Sequence, residues 1–167
     1  ECEVHIGAVD AKKVSLNKDI TELYGAKIVV VHDSTATLLP AMASALRAWQ
    51  NDPSAMYVVG SAAGPHPYPL MVRTFASVIG RIAKKQFIEK VGKVPDTLWS
   101  VCGGGSNMLG ISYTFLNEIT EIFAIESAGK GIKTGQHAAT ITSNSPTAIL
   151  LGARASAIMN KDGQISE

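Results

Sequence analysis

Apolar positions along this 167-residue chain fall into two alternating rhythms. Short continuous runs appear at Cys2–Ile6, Lys27–His32, Met56–Val59, Thr97–Cys102 and Glu121–Glu126, and read as β-strands. The β-branched run Ile28-Val29-Val30-Val31 predicts a strand buried on both faces, and the run ending at Cys102 a buried strand. Between them lie stretches of helical spacing. One starts at Asp10 as cap and runs to Tyr24, turning Val14, Ile20, Leu23 and Tyr24 to the core, with Gly25 as its C-terminal glycine. A second follows the polar turn Asp33-Ser34-Thr35, capped by Thr37 and reaching Gln50 with Pro40 in its first turn. A third spans Leu70 to Val91, with Val72, Phe75, Ile79 and Ile82 on one face and Arg73, Arg81, Lys84 and Lys85 opposite, the Lys84-Lys85 pair reading as a solvated face. A fourth covers Ser106 to Asn117, and the apolar stretch Pro146–Met159 is read as a fifth. The alternation predicts an α/β fold of parallel twisted sheets with covering helices.

The junction after the fourth strand carries the most chemistry. Gly103-Gly104-Gly105-Ser106-Asn107 stands where an apolar strand hands over to a helix. Consecutive glycines let the backbone bring several N–H groups to one bound atom, and the helix start adds free donors. A phosphate is the natural guest; a packing turn that binds nothing is the alternative. The run is neither a Walker A loop, which needs Lys after its last Gly, nor a G-x-G-x-x-G fingerprint. A second punctuation, Gly60-Ser61-Ala62-Ala63-Gly64-Pro65-His66-Pro67-Tyr68-Pro69, is stiff and proline-rich. It divides the chain into a small lobe (1–62) and a cofactor-binding lobe (63–167). Glu126, ending its strand, is placed either near a ligand crevice or simply in solvent. The glycine-rich segment Ser127–Ala139 reads as a mobile loop.

Composition narrows the field. Charged residues make up 17% and the net charge is +1, with no basic block, so nucleic acid is not a favoured partner. No apolar run crosses a membrane, Cys2 and Cys102 lack metal-ligand spacing, and a reduced cytoplasmic setting is expected. The four histidines show no metal spacing, no G-x-S-x-G elbow exists, and both ends of the chain look like cuts through a longer protein.

Taken together, the motifs resemble the β subunit of tryptophan synthase. The resemblance rests on Gly103–Asn107 paired with the Gly60–Pro69 run. It extends through Ile6-Gly7-Ala8 with Asp10, Tyr24-Gly25-Ala26, Ala36-Thr37-Leu38, Gly131-Ile132-Lys133-Thr134-Gly135-Gln136-His137 and Asp162-Gly163-Gln164. It implies a two-domain fold type II pyridoxal-phosphate enzyme that joins L-serine and indole into L-tryptophan. It further implies that Gly103, Gly104, Gly105, Ser106 and Asn107 hold the cofactor phosphate, with Ser61 beside the cofactor. By the same resemblance, a monovalent cation (sodium or potassium) sits at the backbone of Cys102, Gly103 and Ala138. Val59, Met42, Leu150 and Leu151 line an indole tunnel, wider here because aromatic residues are common at the last pair. A homodimer of β chains is the implied assembly.

Departures matter as much. The family's Schiff-base lysine follows a histidine in a G-A-H-K-x-N segment, and none of the eleven lysines here follows His. The resemblance places that lysine and the glutamate that activates indole upstream, and the group facing the pyridine nitrogen downstream. The chain alone is therefore expected to be inactive. Lys13-Val14 stands where the family has Arg-Gln, and Leu39 where a lysine meets the α subunit, which weakens the expectation of α-subunit binding. Two other readings remain: a non-catalytic binding or assembly module or diverged paralogue, and a serine/threonine dehydratase-like lyase, against which the Gly64-Pro65-His66-Pro67-Tyr68-Pro69 run argues.

Overall fold

The computed structural model describes residues 1–33 and 35–165, so Ser34 of the expected polar turn lies outside the described residues. The chain forms two compact units, Glu1–Val59 and a second from Gly60 onward. Its class is α/β, built on parallel strand pairs.

In the first unit, β1 (Glu3–Gly7) pairs in parallel with β2 (Lys27–Val31), in register from Glu3 opposite Lys27 to Gly7 opposite Val31. The expected single helix between them is two: α1 (Ala8–Lys13) and α2 (Ser15–Leu23). The break falls at Val14, whose φ of −116° and ψ of 38° leave the helical region. Asp10 is not the cap; it lies inside α1, where its side chain accepts from Lys13. Val14, Ile20, Leu23 and Tyr24 were expected inside but are exposed, Leu23 and Tyr24 to more than 80%. Gly25 does take the left-handed conformation after α2, with φ of 86°. Helix α3 (Leu38–Asn51) packs on both strands and buries Ala41, with Pro40 in its first turn as expected. His5 and Ser44 join α3 to β1 through a 3.0 Å hydrogen bond. Beyond α3, residues 56–59 form no strand. Instead Trp49 stacks on Tyr57 at 5.9 Å and donates from Nε1 to the Ala55 carbonyl, bending the segment back onto the helix.

The second unit begins with α4 (Tyr68–Val91), which stops at Gly92 in a left-handed C-cap whose N–H reaches the Ile88 carbonyl. β3 (Thr97–Val101) pairs in parallel with β4 (Glu121–Ile125), and between them run α5 (Ser106–Ser112) and a 3-10 turn, Tyr113–Phe115. The face by which α4 packs is opposite in character to the one expected. Ala76 and Gly80 form the seam with α5; a Cβ on Gly80 would lie 2.5 Å from the Ile111 carbonyl oxygen, and one on Gly110 3.0 Å from Ala76 Cβ. Phe75, Ile79 and Ile82 face solvent. Small residues win the seam because they let two helix backbones approach closely, as the absent Cβ of each glycine permits. The basic side chains are not simply solvated: Arg73 lies 4.1 Å over the Tyr113 ring, Arg81 bonds Ser77, and Lys84 pairs with Glu118. Only Lys85 behaves as a solvated charge, loosely paired to Glu89.

The run expected to be buried on both faces is not, and the run ending at Cys102 is only partly buried. Val30 in β2 and Trp99 and Val101 in β3 are exposed, Trp99 stacking on Phe123 at 4.1 Å. The stretch expected as a helix over 146–159 is a β-hairpin of β5 (Thr147–Leu150) and β6 (Ala153–Ser156). Leu151 and Gly152 turn it, both with positive φ (49° and 80°), the pattern of a two-residue type I′ turn. The loop expected to be mobile, 127–139, is a set of hydrogen-bonded turns around a short 3-10 segment, Ile132–Thr134. No described helix is long and apolar enough to cross a membrane.

Candidate functional site

The glycine loop lies at the C-terminal end of β3, where ligands gather in open α/β sheets. Gly105 has φ of 92°, a conformation that L side chains rarely adopt, and serves as N-cap of α5. The first backbone bond of that helix is from Leu109 N–H to the Gly105 carbonyl. The N–H groups of Ser106, Asn107 and Met108 therefore precede the ladder and face outward from the helix start. A Cβ added to Gly103 or Gly105 would meet nothing within 4 Å, so the loop borders open space. A Cβ on Gly104 would lie 2.8 Å from Ser61 Oγ. That places the Ser61 hydroxyl, forty-three positions away in sequence, beside the glycines and the N–H groups at the start of α5.

Leu150 and Leu151 belong to the hairpin, Leu150 at the end of β5 and Leu151 in its turn. The turn meets the proline-rich loop: a Cβ on Gly64 would lie 3.9 Å from the Leu151 carbonyl, and one on Gly152 3.9 Å from Pro65. Met42 is half-buried on α3, and Val59 is half-buried at the end of the first unit.

Three segments meet at the C-terminal end of β4. The Ile125 carbonyl accepts from Cys102 N–H at 2.8 Å, and the Ser127 carbonyl accepts from Ala138 N–H at 3.0 Å. Between them the Glu126 carboxylate accepts from Thr142 Oγ1 (2.7 Å), Thr142 N–H (2.8 Å), Ile141 N–H (3.1 Å) and, weakly, Thr140 Oγ1 (3.4 Å). Burial pushes the Glu126 carboxyl up, but the Thr142, Ile141 and Thr140 donors outweigh it and hold the group below the ordinary range. The buried Cys102 thiol is pushed up by burial and by the Glu126 charge, so it stays protonated and unreactive at neutral pH. Glu126 is thus not a free strand-end charge: its carboxylate is engaged by a neighbouring loop. Nothing in its spacing signals this, since its partners lie fourteen to sixteen residues on. Among the described residues no three His, Cys, Asp or Glu side chains gather as metal ligands, so a cation at Cys102, Gly103 and Ala138 would rely on carbonyl oxygens.

No family model matches the chain. Among curated proteins it is 43% identical to the tryptophan synthase beta chain of Methylobacterium sp. (strain 4-46) and 44% identical to that of Methylobacterium radiotolerans; each alignment takes in all of this chain and 41% of the relative. The tryptophan synthase beta chain of Shouchella clausii is 42% identical over the whole chain and 42% of its own length. Along its full length, then, the chain resembles the tryptophan synthase beta chain, and it spans about two fifths of the curated relatives it matches.

Proposed function

We propose that this chain is the cofactor-phosphate portion of a tryptophan synthase β-type enzyme whose whole form joins L-serine and indole into L-tryptophan. The observation that carries the reading is the Ser61 hydroxyl packed against Gly104, in a glycine loop with open space at Gly103 and Gly105, within a sequence that matches tryptophan synthase beta chains throughout. Pyridoxal 5′-phosphate, when bound, supplies the electron sink that makes replacement at the serine β-carbon accessible. Everything else is the work of side chains and backbone. The amides of Gly103, Gly104, Gly105, Ser106 and Asn107 bind the phosphate, and Ser61 adds a hydroxyl donor from the side. The carbonyls of Cys102, Gly103 and Ala138 offer a monovalent cation a neutral oxygen set. Leu150 and Leu151 form the wall of an indole passage, shorter than an aromatic pair and so leaving it wider; Met42 and Val59 carry the same assignment by resemblance alone. In this reading the first unit belongs to a smaller lobe and the second to the cofactor lobe of a fold type II enzyme, working as a cytoplasmic homodimer. The α subunit is a weaker expectation, given Lys13 and Leu39.

No lysine of the chain follows a histidine, so these residues bind and orient but do not anchor the cofactor covalently. The same fact favours the second reading, a binding module that keeps the phosphate seat without turnover. Equilibrium dialysis with pyridoxal 5′-phosphate and with pyridoxal tests the seat: the phosphorylated form binds more tightly, and Ser106→Asp removes the preference while leaving the far-UV spectrum unchanged. Equal binding of the two compounds would sink the phosphate assignment. With serine, indole and cofactor added, the 167-residue chain forms no tryptophan.

A further inference from the structure

Residues 125–127 tie two other segments to the end of β4: Ile125 takes Cys102, while Ser127 takes Ala138 and the Glu126 carboxylate takes Thr140, Ile141 and Thr142 of segment 138–142. Cys102 is the residue from which the glycine loop departs. The two outer bonds are ordinary backbone contacts, each replaceable by water if its segment drifts. The carboxylate is different. It gathers backbone and side-chain donors from three consecutive residues into one charge-assisted cluster. Two carboxylate oxygens divide the work, Oε1 holding Thr140 and Ile141 and Oε2 holding both donors of Thr142. Among the described residues no other side-chain hydrogen bond joins segment 138–142 to the end of β4.

We infer that Glu126 is a positioning residue for the glycine loop: by pinning residues 140–142 across the end of β4, it fixes the strand end from which Cys102 and Gly103 leave. Glu126 acts through the Ile125–Cys102 bond on one side and the Ser127–Ala138 bond on the other. The inference deepens the proposed function and rests on it where ligand binding is concerned. Its structural half stands on the hydrogen bonds alone.

The test uses the 167-residue chain with Glu126→Ala and Glu126→Gln, reading amide hydrogen exchange together with dialysis against pyridoxal 5′-phosphate and pyridoxal. Glutamine keeps one carbonyl acceptor but turns an NH2 toward the remaining donors, so it loses half the cluster. In E126A the amides of Ile141 and Thr142 exchange faster, and so do those of Cys102 and Gly103. Pyridoxal 5′-phosphate then binds about tenfold more weakly while pyridoxal is unaffected, and E126Q falls between. A general loss of structure would weaken both compounds alike. Faster exchange confined to 140–142, with phosphate preference intact, overturns the inference and makes Glu126 a local loop clamp. If the wild-type chain shows no preference for the phosphorylated compound, the proposed function fails, and exchange at Cys102 and Gly103 still decides the positioning claim. Should E126A not fold, E126Q carries the same comparison.

Discussion

The two units use the same local plan to different ends. In each, a five-residue strand pairs in parallel with the strand twenty-four positions further on, and the first strand leads through glycine into a helix. At Gly7 that turn is filled by protein. A Cβ there would collide with the Ala36 carbonyl oxygen and lie 2.5 Å from that of Thr37, while the Ala36 carbonyl already accepts from Val9 N–H. At Gly103 and Gly105 the same kind of turn faces nothing. Glycine at the first junction admits neighbouring backbone; glycine at the second leaves room that the chain itself does not use. A glycine-rich junction is therefore informative about ligands only when the space its missing Cβ opens is still empty.

Substitutions break that contrast in a definite order. Gly7→Ala forces a methyl into backbone atoms that cannot swing aside, and costs about 3 kcal/mol, seen as a melting midpoint lower by roughly 10 °C. Gly105→Ala meets no atom but must hold a left-handed φ, costing about 1–2 kcal/mol and weakening pyridoxal 5′-phosphate binding. Gly103→Ala has neither a clash nor a positive φ, so stability changes by less than about 0.5 kcal/mol while phosphate-dependent binding falls; unchanged binding would remove the loop from the site. A Gly103→Ala chain that melts as early as Gly7→Ala would erase the distinction altogether.

The smallest effect is electrostatic and belongs to the first unit. Glu3 and Lys27 face each other across β1 and β2, 2.5 Å apart, and the lysine holds the Glu3 carboxyl below its ordinary value. A depressed carboxyl contributes stability above its unfolded pKa and loses it as pH falls through the folded one. Acidification below the ordinary glutamate range thus loosens this pair, and Glu3→Gln flattens the response. Because both groups are exposed to solvent, added salt mutes it further.

Much of the architecture was legible in the pattern. All four strands that pair in parallel fall within a residue of their apolar runs, and Gly25 and Gly92 end their helices for the reason their chemistry predicts. What misled was the assumption that apolar residues mark the side that packs here. Phe75, Ile79 and Ile82 lie on the open side of α4 while Ala76 and Gly80 make the contact, and Leu23 and Tyr24 are open on α2. The hairpin at 147–156 was hidden because Ala, Ile and Leu suit helix or strand alike, and only the Leu151-Gly152 turn decides. Residues 56–59 have strand character without strand pairing, because the local stack of Trp49 on Tyr57 takes over. At the site, the glycine run announced itself through spacing, whereas the approach of Ser61 and the fastening by Glu126 depend on pairings across tens of residues that no local pattern encodes.

The matched spacing of the two strand pairs has a kinetic consequence. Each parallel pairing closes over about two dozen residues, so the entropy lost in bringing its strands together is nearly the same and modest for parallel structure. Helices α3 and α4 pack onto these pairs from just outside the two spans, α3 on β1 and β2 and α4 on α5, and add one somewhat longer closure to each unit. Folding is expected to be quick for a parallel topology, with the two closures proceeding on similar clocks rather than one waiting for the other. A hydrogen-exchange pulse during refolding would show protection at β1–β2 and β3–β4 arising together, and a lag in either pair would mean that its closure draws on contacts from beyond its own span.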